Sequence, residues 1–392
     1  MKQEELHLST RAVNPRSHEK RTNRPVAQPI YLSATFEAAD VDEQIRLEEE
    51  GDTFYTRYGN PTLTAAEEVV ATLEGAESAL VFGSGMAAIT TTLLAFLEKG
   101  DHAVFQREVY GGTFRFAREV LPRFGIDVSW VDCTDVDGMK RAFRENTRVL
   151  YLESPTNPTL RLVDLDAVSE IARSKKINTF IDSTFATPFN SRPVEHGIDG
   201  VLHSATKYFG GHADLLGGVL AGSREIVKRA KSNLKVLGGV MDPHGAYLLL
   251  RGIKTLAVRV DRQNRNALAV AQAFEGQPGV TRVFYPMLAS HPQHELARRQ
   301  MQGGGGVVSL ELEGTLETAK RFVNHLRLFH VAPSLGGVDS LVSIPCLTSH
   351  AMLSPDERER AGIRDSLVRL ALGIEDAADL IADIKNALAQ SR

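Results

Sequence analysis

Short apolar runs alternate with amphipathic helical stretches through the first half of the chain, and this rhythm narrows the possible folds more than any other feature. Ala79 to Phe82, His102 to Phe105, Ile126 to Val131, Val149 to Leu152, Thr179 to Asp182 and Val201 to Ser204 each read as a short buried strand. Helical spacing separates them, over Thr62 to Gly75, Gly85 to about Leu97, and Leu165 to Ala172. The alternation predicts an α/β fold whose large sheet is mostly parallel and covered on both faces. Leu215 to Gly222 is expected to return along the edge of that sheet.

Around Pro243 the texture changes. Ala246 to about Phe274 predicts one long helix, and the rest mixes strands (Gly306 to Leu312, Leu341 to Ile344) with helices (Ala319 to Leu326, Ala378 to Ala389), an α+β pattern. Three parts are therefore expected: 1–60, 61–245 and 246–392. The first is polar and proline-dotted, with helical spacing only over Val41 to Glu50, so it is either disordered or draped over a neighbour. Gly303 to Gly306 reads as a tight or mobile turn whose role the sequence leaves open.

A chain of 392 residues with 43% apolar and 24% charged residues has the composition of a soluble enzyme of one or two domains. Its net charge of -4 leaves no footprint for nucleic acid. The two cysteines, Cys133 and Cys346, have no Cys or His at metal spacing, so no metal is expected and a reducing cytoplasm fits. An N-terminal start without an apolar segment, and the lack of any apolar run of membrane length, argue against secretion and a membrane partner.

Chemistry concentrates in Ser204-Ala-Thr-Lys207-Tyr-Phe-Gly-Gly. In an extended segment Ser204 and Thr206 share a face while Lys207 points the other way. Two hydroxyls for a phosphate beside a lysine suit a pyridoxal phosphate Schiff base, and a surface lysine in a glycine-rich loop fits the stretch alone equally well. Asp182 ends a strand where open α/β sheets bind ligands, and a carboxylate there can keep a pyridine nitrogen protonated. Gly83-Ser84-Gly85-Met86 opens a helix and offers backbone amides to an anion, or is an ordinary tight connection. Arg369, in an apolar strand, needs a partner: either an internal ion pair or a substrate carboxylate gripped by the guanidinium fork.

Taken together, Ser-Ala-Thr-Lys207 with Gly-His-x-Asp, Ile-Asp182-x-Thr-Phe-Ala-Thr-Pro, Glu153-Ser-Pro-Thr-Asn157-Pro, Tyr55-Thr-Arg57-Tyr-Gly-Asn-Pro and Ser334-Leu-Gly-Gly resemble the Cys/Met-metabolism family of pyridoxal phosphate enzymes. That family holds cystathionine gamma-synthases, cystathionine and methionine gamma-lyases and O-acylhomoserine sulfhydrylases. The resemblance implies a fold-type I transferase, similar to aspartate aminotransferase, with pyridoxal 5'-phosphate on Lys207 and Asp182 at the ring nitrogen. It further implies that Gly85, Met86, Ser204 and Thr206 surround the phosphate, that Tyr110 stacks on the ring, and that Asn157 lies near the ring hydroxyl. By the same resemblance Tyr55 and Arg57 reach the active site of a neighbouring subunit in a homotetramer, Tyr110 or Tyr55 assists proton traffic, and Arg369 with the Ser334 loop binds an amino-acid substrate.

Three positions bear on the reaction. Methionine gamma-lyases of the family carry cysteine where this chain has Gly112. Cystathionine-handling members show acidic residues where this chain has Asp339 and Phe54. The expected reaction is gamma-replacement on an O-activated homoserine; gamma-elimination to 2-oxobutanoate is the alternative, and a non-catalytic pyridoxal-binding regulator is a remote one.

Overall fold

The computed structural model describes residues 6–14, 25–50, 54–351 and 353–391. Strands β1 (Ser78–Phe82), β2 (His102–Gln106), β3 (Asp127–Val131), β4 (Thr147–Glu153), β5 (Asn178–Asp182), β6 (Gly200–Ser204) and β7 (Gly218–Gly222) form one sheet in the order β1-β7-β6-β5-β4-β2-β3. From β6 to β3 the strands are parallel, while β7 runs antiparallel to both neighbours. Side chains alternate between the two faces. Phe105, Tyr151 and Phe180 pack on one face with residues of the helix Gly85–Phe96. On the other, Val104, Leu150, Ile181 and Val201 pack against the helix Leu165–Ser174. Each such side chain, fully buried, stabilises the fold by about 1.5–3 kcal/mol.

Contrary to expectation, β7 lies inside the sheet. All five of its residues are buried, and its terminal glycines permit the insertion. A Cβ on Gly218 would stand 2.3 Å from the Ser84 carbonyl oxygen, and one on Gly222 would stand 2.6 Å from that of Asp199.

The second sheet contains β8 (Val280–Phe284), β9 (Val307–Leu312), β10 (His330–Val331), β11 (Leu341–Ser343) and β12 (Leu367–Ala371), in the order β10-β11-β12-β9-β8. Its strands are antiparallel except for the β10–β11 pair. An apolar core runs from this sheet to the first helix beyond the arm: Val308, Leu310, Val368 and Leu370 belong to one cluster with Val260, Ala267, Leu63 and Val70. The helix Leu8–Val13 adds Ala12 to the same cluster, so this part of the arm docks on its own chain.

The long helix expected from Ala246 is two helices, Pro243–Ile253 and Leu256–Phe274. Gly252 sits under the lysine loop, where a Cβ would stand 2.3 Å from the Gly210 carbonyl oxygen. Its own carbonyl accepts from the Thr255 amide at 3.1 Å and from Arg259 Nη2 at 2.9 Å, and the chain turns there. The run Gly303 to Gly306 is a close-packed strap: a Cβ on Gly304 would stand 2.5 Å from Tyr285 Cζ, and the Gly306 amide donates to the Tyr208 hydroxyl at 3.0 Å. Tyr208 follows Lys207, so the strap braces the lysine loop.

Candidate active site

The carboxyl ends of β4, β5 and β6 face the loops of the second sheet across a cavity of about 590 Å3. That volume suits a cofactor together with a small substrate. Lys207, Asp182 and Arg369 all line it.

Residues 205–210 are turns rather than the extended segment expected, because the chain must fold back from β6 over the cleft. The Lys207 amide donates to the Ser204 carbonyl at 3.1 Å and the Gly210 amide to that of Ala205 at 2.8 Å. Ser204, Thr206 and Lys207 therefore all reach the cavity. The Thr206 hydroxyl also clasps the loop, accepting from the Gly217 amide at 3.0 Å. Lys207 Nζ donates to Ser334 Oγ at 2.8 Å. Burial, and then the nearby Arg369, lower its amine to about 8.

Asp182 ends β5, and its Oδ1 accepts from the Thr184 amide at 2.9 Å and the Thr184 hydroxyl at 2.5 Å. Burial raises its carboxyl above the ordinary range, so the group is held ready for a cationic partner. Glu153, which ends β4, is its register partner; it heads one of the sequence motifs but has no role assigned from the sequence. Its two oxygens accept the Tyr110 amide at 2.7 Å and the Asn157 amide at 3.3 Å. Only the pairing of β4 with β5 brings these carboxylates side by side.

At the other end of the cleft, Ser84 caps the helix Gly85–Phe96 by accepting the Ala87 amide at 3.0 Å. The first amides of this helix are open to an anion. A Cβ on Gly85 would stand 3.0 Å from Ser204 Cβ, so glycine keeps that cradle open. Met86 and half-exposed Tyr110 complete this side.

Arg369 lies in β12 and is buried. Its guanidinium donates to Asn157 Oδ1 at 3.1 Å and to the Ser334 carbonyl at 2.9 Å, while Nε has no partner. Burial lowers its pKa to about 10. Its register partner Ser343 also presents a buried hydroxyl without a partner. These two orphaned groups, the lysine amine, the strand-end carboxylate and the free helix amides fit pyridoxal phosphate and an amino-acid carboxylate.

Tyr55, Arg57, Phe54 and Asp339 are not brought to this cleft. Arg57 donates to the Lys235 carbonyl and stacks 4.9 Å from the Tyr58 ring centroid, on which Phe54 packs at 5.1 Å. Tyr55 bridges to Thr35, and Asp339 is exposed just before β11. Among the described residues, Glu108, Asp132 and Cys133 stand close enough to suggest a metal site. Arg161 occupies it, 2.9 Å from Glu108 and 2.7 Å from Asp132.

The sequence pattern of the family described as Cys/Met metabolism PLP-dependent enzyme matches residues 9–389. The chain belongs to this family. Its cofactor is accordingly pyridoxal phosphate, and it is an enzyme of carbon–sulfur metabolism. Among Cys/Met-metabolism enzymes, the chloroplastic cystathionine gamma-synthase 1 of Arabidopsis thaliana is 46% identical over 85% of this chain and 60% of its own length. This chain thus spans about three fifths of that relative. L-methionine gamma-lyase of Fusobacterium nucleatum subsp. polymorphum is 42% identical over 93% of both chains. The crystal structure of metB from Corynebacterium glutamicum superimposes with a TM-score of 0.94 over 99% of both chains, at 36% identity. The fold is therefore the fold-type I architecture expected. Among the described residues no helix is long and apolar enough to cross a membrane.

Proposed function

We propose that this enzyme carries out gamma-replacement on an O-acylated homoserine. The observation that carries the reading is the far wall of the cleft, where Pro333, Ser343, Thr348 and Ser349 stand. Ser343, Thr348 and Ser349 offer hydroxyls and none of the four carries charge, which suits a neutral acyl ester better than the second ammonium of cystathionine. The four charged side chains that line the cleft, Glu153, Asp182, Lys207 and Arg369, are engaged elsewhere.

Bound pyridoxal phosphate supplies an electron sink for negative charge at the substrate's Cα. In this reading Lys207 carries the cofactor and then moves protons at Cα and Cβ, a task suited to an amine lowered to about 8. Asp182 holds the ring nitrogen's proton, and Gly85, Met86, Ser204 and Thr206 hold the phosphate. Tyr110 covers the ring, and Arg369 with Asn157 orients the substrate carboxylate. Tyr55 and Arg57, outside their own cleft, complete that of a neighbouring subunit in a homotetramer; Val41 and Ile45 on the same arm are 69% and 50% exposed and await such a neighbour. The compartment proposed is the cytoplasm.

The second reading, gamma-elimination, is favoured by the name of the Fusobacterium relative. Gly112, in place of that group's cysteine, counts against methionine cleavage. Incubating the enzyme with O-acetylhomoserine, with and without cysteine, separates the two. Thioether formation that suppresses 2-oxobutanoate supports replacement, and 2-oxobutanoate indifferent to cysteine supports elimination.

A further inference from the structure

We propose that Glu153 is a positioning residue that sets the two sides of the cofactor cleft through the backbone amides of Tyr110 and Asn157. Its carboxylate is buried at the end of β4, and each oxygen is taken by one amide, at 2.7 Å and 3.3 Å. Those amides belong to residues of different loops, one following β2 and the other following β4. Tyr110 carries an aromatic ring into the cleft, and the Asn157 side chain receives Arg369 from the second sheet at 3.1 Å. A single carboxylate therefore links the ring above the cofactor to the cation that meets the substrate.

The arrangement is costly, which argues that it does more than fill space. Burial, and then Asp182 beside it in register, push the Glu153 carboxyl well above the ordinary range, so two acids share one buried site. An apolar residue would avoid that repulsion but would leave both amides without an acceptor. The inference rests on the cofactor assignment and not on which reaction follows.

Glu153→Ala and Glu153→Gln test it in the holoenzyme. The readouts are cofactor affinity, the visible circular dichroism of the bound cofactor, which reports its orientation, and the melting temperature after cofactor removal. Glu153→Ala should lose cofactor affinity by about tenfold or more, as one buried and one part-buried amide go unpaired. Glu153→Gln keeps one acceptor oxygen and should recover part of the loss, with an altered dichroic band. If Glu153→Ala does not fold, the glutamine variant alone decides. Wild-type affinity and an unchanged band in Glu153→Gln, whatever the melting temperatures, would overturn the proposal.

Discussion

The Lys207 amine donates to the Ser334 hydroxyl at 2.8 Å, and the carbonyl of the same serine receives Arg369 at 2.9 Å. One residue of the second sheet's loop therefore spaces both cations of the cleft. Ser334 holds this place at a φ of 106°, a region strained for any L side chain. Ser334→Gly relieves the strain and removes the tether; Ser334→Ala removes the tether alone. Both should lose about tenfold in kcat/KM, the worth of one hydrogen bond to a charged group, and the glycine variant should melt higher than the alanine variant. Wild-type kinetics in both would sink the tether.

Lys207 also sets a pH dependence. An amine attacks an aldehyde only when neutral, and burial with Arg369 nearby lowers this one to about 8. Uptake of pyridoxal phosphate by the cofactor-free protein should therefore accelerate as pH rises through about 8 and level off above it. An ordinary lysine would keep gaining to about 10.4. Arg369→Gln removes a neighbouring cation, so the midpoint should move upward. Stopped-flow absorbance across this range measures both midpoints.

Much of this was legible in the sequence, for reasons that also mark the limit. Asp182 and Lys207 announce themselves because each ends or follows an apolar run and carries chemistry by residue type. Glu153 ends a run in the same way, yet its meaning lies in register with β5 and in amides 43 and 4 positions away, which periodicity does not report. The interior place of β7 had a signal: a run apolar on both faces is a buried strand, not an edge. The break between the helices at Ile253 and Leu256 had none, since Gly252 is required by the lysine loop packed above it.

Asp182→Asn should trade function for stability. The folded protein raises the carboxyl's pKa, so this group's contribution to stability is full at acid pH and is lost as pH rises through the raised value. At neutral pH, without cofactor, the ionised form is a burden that an isosteric amide removes, while the amide oxygen still accepts from Thr184. The cofactor-free variant should melt about 1–3 °C higher. In the role proposed for Asp182, the amide cannot hold a proton on the ring nitrogen of the bound cofactor, and kcat should fall by about a hundredfold or more. A lower melting temperature together with full activity contradicts both halves.

Gly112 offers the most direct control over Tyr110. A Cβ there would stand 2.6 Å from Tyr110 Cε1 and 2.8 Å from Met86 Sδ, and both are side-chain atoms rather than backbone. The fold can therefore absorb a larger residue only by moving the Tyr110 ring or the Met86 side chain. Overpacking of this kind costs about 1–3 kcal/mol when the surroundings resist, and less when side chains yield. Gly112→Ala should accordingly melt close to the parent while losing about tenfold in kcat/KM, and Gly112→Cys should lose more. The dichroic band of the bound cofactor should shift in the same order, because in the proposed role it is the Tyr110 ring that covers the cofactor. A large drop in melting temperature with unchanged kinetics would mean that the strain went into the backbone and left Tyr110 in place.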